Sequence, residues 1–365
     1  MLNLPRRVLF ATFVLAVLAA IGYYFRKAVH TGFSWTRVAE AIAHIRLGFV
    51  LASVAVIFMA YAVRALRWQR FCRWCGRCSF IDTYNATLMG FAGVCLLSRA
   101  GEPLRPVLLA RKCRLQVATM FGIWLLERLF DLGSAAVLLA LSLLLPSQLL
   151  SAGDGATGWQ SKIRMAGVLV AVGMAGAIAL VIYFRVHGAG LIDRRLAVWR
   201  EESGWRRKFA KQFGDFGEGL QSIRTFSDLS AGAFYSAVHW ALIVVVYYLV
   251  TRSFGGRLGQ FDFRAAMLLL IITLFGSVVQ LPGVGGGTQI LAFIGLTQLF
   301  RIEQEPAAAA AMLLWIINAA VVCLPGVPLL IHEGWSMASL RRLARAEDEA
   351  EKVGAHVSAT SNHLD

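Results

Sequence analysis

The sequence predicts an all-α, polytopic integral membrane bundle, with about six full transmembrane helices and two re-entrant broken-helix hairpins in an inverted arrangement. Hydrophobic residues fill 58% of its 365 positions and charged residues only 16%, against about 45–50% and about 25% in soluble chains. Apolar runs near the ~20 residues that a helix needs to cross a bilayer recur along the chain. Two shorter runs end in clusters of Gly and Pro, the first of them also charged, which interrupt a helix. With a mean hydropathy of +0.64, these figures exclude a disordered chain, a collagen-like chain and a disulfide-stapled secreted domain. They also argue against a soluble enzyme.

Full crossings are read at 8–25, 47–63, 117–145, 165–184, 230–251 and 307–331. The first follows Arg6 and Arg7. Its long apolar core and the lack of a small-x-small site before Gly22 mark it as an uncleaved helix, not a signal peptide. Runs 83–98, 265–281 and 288–300 are shorter or broken, and the last two flank Pro282-Gly-Val-Gly-Gly-Gly287. Phe209, Phe213, Phe216, Leu220 and Ile223 recur at helical spacing and predict an amphipathic helix over 205–226. It would lie on the cytoplasmic leaflet or pack on the inner face of the bundle. Period alone does not separate lipid from protein as its apolar neighbour. Residues 1–335 therefore read as one membrane domain, and 336–365 as a charged cytoplasmic tail.

The chain carries 36 Lys+Arg against 21 Asp+Glu, a net charge of +15. No zinc-finger spacing or aromatic-basic strand accompanies that charge, so nucleic acid is not the expected partner. In a membrane protein, such a bias marks cytoplasmic loops. With 83–98 and 265–300 dipping in and returning, 25 Lys+Arg fall on one side and 10 on the other, and Arg128 lies inside a span. Both termini then face the cytoplasm.

Charge at membrane depth is costly, at about 2.5–3.5 kcal/mol on the insertion scale, and tends to face functional cavities. Glu127, Arg128 and Asp131 interrupt the run 117–145. Glu127 and Asp131 share a helix face, and Arg128 is their nearest cation in sequence. Without a further Arg, the site would be net negative. The stretch Ser98-Arg-Ala-Gly-Glu-Pro-Leu-Arg-Pro106 ends run 83–98. Gly101 allows a tight turn, and Pro103 and Pro106 oppose simple helix continuation. Arg99 and Arg105 have the forked donors that suit phosphate. Pro282, Gly283, Gly286 and Gln289 belong to a second break, which opens onto a helix start suited to an anion or polar headgroup. Paired interrupted segments in the two halves point to the binding site of an inverted-repeat transporter.

Ser98-Arg-Ala-Gly-Glu-Pro-Leu-Arg105, Glu127-Arg-Leu-Phe-Asp131, Pro282-Gly-x-Gly-Gly-Gly-x-Gln289 and Arg64-x-x-Arg67-Trp68 together resemble the membrane domain of the lysylphosphatidylglycerol synthase/flippase family. The resemblance runs from the second helix to the last. It implies a multi-pass protein of a bacterial or archaeal inner membrane, with re-entrant helices around a cavity, that moves lipids or lipid-linked molecules between leaflets. Relatives are linked to lysyl-lipids, hopanoids and glycosylated polyprenyl carriers. The family usually has Pro where this chain has Ser98 and Glu where it has Gln289. The family's lysyl-transferase domain is not seen here, so no synthase activity is expected.

On this reading Arg99, Arg105 and Arg128 hold an anionic headgroup, and Glu102, Glu127 and Asp131 orient it or take up protons. Gly101 and the stretch from Gly283 to Gly287 let backbone approach it. Membrane lipids or a lipid-linked substrate are the expected partners, a homo-oligomer is compatible, and no cofactor or metal is expected. A lipid transferase or hydrolase using Glu127 and Asp131 is one competing reading. A non-catalytic assembly subunit is another. Cys72-x-x-Cys75-x-x-Cys78 has metal-like spacing but no fourth cysteine close by in an exposed segment. Cys113 and Cys323 read as small apolar fillers, and His239 as a histidine bonded to a neighbouring helix.

Overall fold

The computed structural model describes residues 33–144, 222–277, 280–281 and 285–334, together with Gly217 and Gly219. The crossings read at 8–25 and 165–184, most of segment 205–226 and the tail 336–365 lie outside the described residues.

The described chain is helical. After α1 (Trp35–Ala43) come α2 (Leu47–Cys72) and α3 (Phe80–Leu97). A 3-10 turn (Ser98–Gly101) leads to α4 (Leu104–Lys112), then α5 (Val117–Leu144) and α6 (Phe226–Ser253). A short turn precedes α7 (Phe263–Gly276), and a two-residue ladder of β1 (Gln280–Leu281) and β2 (Gly285–Gly286) leads into α8 (Gly287–Ile294). The last elements are α9 (Gln304–Trp315), a π turn and α10 (Val321–His332). Among the described residues, four stretches are long and apolar enough to cross a membrane: Leu47–Cys72, Phe80–Leu97, Phe226–Ser253 and Gln304–His332. At 28 residues α5 is also long enough, but it carries three ionisable groups at mid-length.

Local chemistry sets where several helices begin. Ser79 Oγ accepts from the Asp82 N–H at 3.0 Å. Thr225 and Asp228 form a reciprocal capping box on α6. Asp262 accepts from the Ala265 N–H at 2.7 Å and starts α7.

Helices α2 and α6 pack antiparallel. The Arg46 N–H donates to Ser253 O at 2.9 Å at one end, and Arg70 donates to Ser227 Oγ at 2.9 Å at the other. The first hairpin, α3–turn–α4, starts where α2 ends and retraces its own path. A Cβ on Gly101 would sit 2.2 Å from Gly93 O, and Arg105 lies over Gly90. Cys113, after α4, is bonded to Cys78, ahead of α3. The second hairpin, α7–ladder–α8, starts where α6 ends, at the opposite end of the pair. A Cβ on Gly276 would sit 2.2 Å from Gly287 O, and the Phe261 and Phe300 rings meet at 4.7 Å. The turn of the first hairpin touches β1 of the second. The inverted pair of broken hairpins expected from the sequence is thus present.

Three expectations change. Helix α2 runs to Cys72, so Arg64 and Arg67 are buried helical residues and not loop charges. Removing them and the buried Arg105 leaves 22 Lys+Arg against 10, and the bias keeps its sign. Pro106 sits in the first turn of α4, where the missing N–H breaks no helical bond. The break therefore ends at Pro103. Cys113 is half of a disulfide, not a filler.

Candidate functional site

Glu127 and Asp131 lie on one face of α5, and Arg64 and Arg67 on the facing side of α2. Arg64 Nε donates to Glu127 Oε1 at 2.6 Å, and its Nη2 donates to Asp131 Oδ2 at 2.8 Å. Arg67 Nη2 donates to the same two carboxylates at 2.8 and 2.9 Å. Helix α6 closes the cluster. Ser236 Oγ accepts from Arg67 at 2.7 Å, and Trp240 Nε1 donates to Asp131 Oδ1 at 3.3 Å. Arg105 enters from the returning limb of the first hairpin and donates to Glu127 Oε2. Its guanidinium lies 4.6 Å from the Trp68 ring centre, and that of Arg64 lies 5.0 Å from the Phe91 ring centre. Arg67 and Glu127 are both 0% exposed. Charges held this far from water need opposite charges and hydrogen-bond partners around them.

Arg128 is not the principal cation of the carboxylates. Its side chain is 38% exposed, 3.4 Å from Glu102 and 3.9 Å from Asp131. It links α5 to the tip of the first hairpin. The expectation of a net negative site unless another Arg approached resolves in favour of the arginines, since three of them reach the two carboxylates. His239 Nδ1 lies 3.0 Å from Ala60 O on α2, a bond to a neighbouring helix.

In the second break, Gly286 has φ 127° and its N–H donates to Gln289 Oε1 at 2.5 Å. Gln289 therefore caps α8. The Arg99 side chain, Pro282 and Gly283 lie outside the described residues. Glu102, Arg105, Glu127, Arg128 and Asp131 come together as one cluster. Gly101 closes the first hairpin, and Gly286 and Gln289 sit at the other tip. Sequence reasoning left Arg64, Arg67, Trp68, Ser236 and Trp240 out of the site. Arg64 and Arg67 are three apart and Glu127 and Asp131 four apart, a match of opposite charges at helical spacing that could have paired the helices. Among the described residues, no group of three or more His, Cys, Asp or Glu is placed to hold a metal.

Long apolar helices, two opposed broken hairpins and a buried charge cluster define a multi-pass helical membrane protein. The chain belongs to the lysylphosphatidylglycerol synthase TM region family, whose profile matches residues 8–326. That membership ties it to membrane lipids. No curated protein matches the chain.

Proposed function

We propose that this protein moves a lipid, or a lipid-linked polar headgroup, from one leaflet of the cell membrane to the other without altering it chemically, with both termini cytoplasmic. The observation that supports this best is the meeting of two broken hairpins from opposite ends of the bundle, beside a buried charge cluster. Opposed broken helices with sites near mid-membrane suit alternating access. A transferase or hydrolase would need a free acid and base. Glu127 and Asp131 instead accept hydrogen bonds from guanidinium groups, which suits binding better than proton transfer.

The test is reconstitution into proteoliposomes with a panel of headgroup-labelled fluorescent lipids, scored by quencher access. Mass spectrometry of the recovered lipids runs alongside. Quencher access above that of empty vesicles, with unchanged lipid masses, supports translocation. A new lipid product would replace it with an enzymatic reading.

A further inference from the structure

Three guanidinium groups, on Arg64, Arg67 and Arg105, face two carboxylates, on Glu127 and Asp131. Among the described residues, adding the Arg128–Glu102 pair leaves the same surplus of one positive charge. At membrane depth an unbalanced charge is expensive and is normally paired.

The hydrogen-bond pattern is lopsided in the same direction. Among the described residues, five buried N–H groups around this cluster have no partner: Arg67 Nε, Trp68 Nε1, Arg105 Nη1, Trp124 Nε1 and Arg128 Nε. All five are donors. The other such atoms, on Arg70, Ser222 and Asp228, lie at the end of the bundle, where Arg70 Nε and Asp228 Oδ1 face each other at 3.1 Å. Buried donors are normally satisfied, and a group of them without acceptors marks a missing acceptor. Arg67, Trp68 and Arg105 are almost wholly buried, so bulk water is no substitute.

We propose that this cluster binds a phosphate-type anion, with Arg67, Trp68 and Arg105 as its main donors and Arg128 at its rim. The surplus charge calls for an anion. The donors come from three helices, α2, α4 and α5, so the acceptor must present oxygens in several directions. A tetrahedral phosphate does this better than a planar carboxylate. The transport reading, on which this rests for the source of the anion, makes it the phosphate of a lipid headgroup; free phosphate has the same chemistry. The assignment keeps Arg105 and Arg128 from the sequence reading and adds Arg67 and Trp68 of α2.

Purified protein in mild detergent is titrated with phosphatidylglycerol, with diacylglycerol of the same acyl chains, and with inorganic phosphate. Thermal unfolding and native mass spectrometry are the readouts. Phosphatidylglycerol should raise the unfolding temperature and remain bound, and diacylglycerol should do neither. Stabilisation by phosphatidylglycerol but not inorganic phosphate supports the site with a lipid headgroup in it. Stabilisation by both supports the site with free phosphate admitted. Arg105→Gln removes the surplus charge and should weaken phosphatidylglycerol binding at least about tenfold, whereas Arg257→Gln, at an exposed loop position, should not. If Arg105→Gln does not fold, Trp68→Phe decides, because it deletes one donor while keeping an aromatic ring beside Arg105, and it should weaken phosphatidylglycerol binding severalfold in the folded protein.

Equal effects of phosphatidylglycerol and diacylglycerol would overturn the proposal. So would full binding by the folded Arg105→Gln and Trp68→Phe variants. Phosphate-dependent binding without translocation would remove the transport reading and leave the anion site. Translocation without phosphate-dependent binding would do the reverse.

Discussion

Arg105 and Glu127 join the first hairpin to α5. Arg105 rides on the returning limb of the first hairpin, and Glu127 sits at the middle of α5, where Arg105 donates to it. Glu127 also accepts from Arg64 and Arg67. The hairpin is therefore anchored to the bundle through the most buried carboxylate of the cluster.

Glu127→Ala should be far more damaging than Arg128→Ala. Removing Glu127 leaves three guanidinium groups with Asp131 alone, and breaking a buried ion pair in this way costs about 3–5 kcal/mol. Arg128 is partly exposed and makes only long contacts, so its loss should lower transport while the protein still elutes as a monodisperse peak. Size-exclusion chromatography and unfolding temperature check both. A well-folded Glu127→Ala protein with wild-type stability would show that the cluster does not anchor the hairpin.

The fold was largely legible in the sequence because hydropathy and charge act through composition, which needs no tertiary knowledge. Run lengths marked α2, α5 and α6, and the counts of Lys+Arg favoured a return of 83–98. The partners within the site were less legible. Arg64 and Arg67 lie just beyond the apolar core of their run, where arginines ordinarily mean loop, and only the packing of α2 on α5 shows that they are buried. The disulfide was hidden for a related reason. Cys78 and Cys113 are 35 positions apart, and nothing short of the hairpin's path brings them together.

That bridge gives a simple mass measurement. Denatured, unreduced protein should take four alkyl groups, on Cys72, Cys75, Cys95 and Cys323, and reduced protein should take all six. Reduction should also lower the unfolding temperature, since closing a loop of this size removes roughly 3–4 kcal/mol of unfolded-state freedom on the chain-entropy estimate. Six labels without reductant would mean that the two ends of the first hairpin are not covalently tied in the isolated protein.

Ser98 offers a test of the first break. It has φ 59° and ψ −140°, a region that costs a residue with a Cβ about 1–3 kcal/mol and suits glycine. Ser98→Gly should therefore raise the unfolding temperature slightly. Ser98→Pro should lower it sharply, because the proline ring holds φ near −65°. The resembling family usually has Pro here, so its backbone must take another course at this turn. Tolerance of Ser98→Pro with full stability would show that this chain follows that course as well.

The second break carries the last prediction. Gly286 has φ 127°, which side chains rarely allow, and its N–H is bonded to Gln289 across the start of α8. Gly286→Val would strain the backbone and disturb that cap, and it sits at a hairpin tip, away from the α2–α6 seam that holds the bundle together. It should therefore abolish transport while α2 and α6 remain packed. Gln289→Glu is the informative partner. A Glu carboxylate can accept from the Gly286 N–H as the amide oxygen does, so the cap and the fold should survive. It adds a titratable group at the tip that the parent lacks. If that group, usual in the resembling family, couples transport to protons, the variant should acquire a pH dependence that the parent does not show. The dependence should appear across the pH range in which the added carboxylate takes up a proton. Transport in proteoliposomes across several pH values, for the parent and both variants, measures this directly. Unaltered transport by Gly286→Val would take the second tip out of the cargo path. Parallel pH profiles for the parent and Gln289→Glu would remove position 289 from coupling.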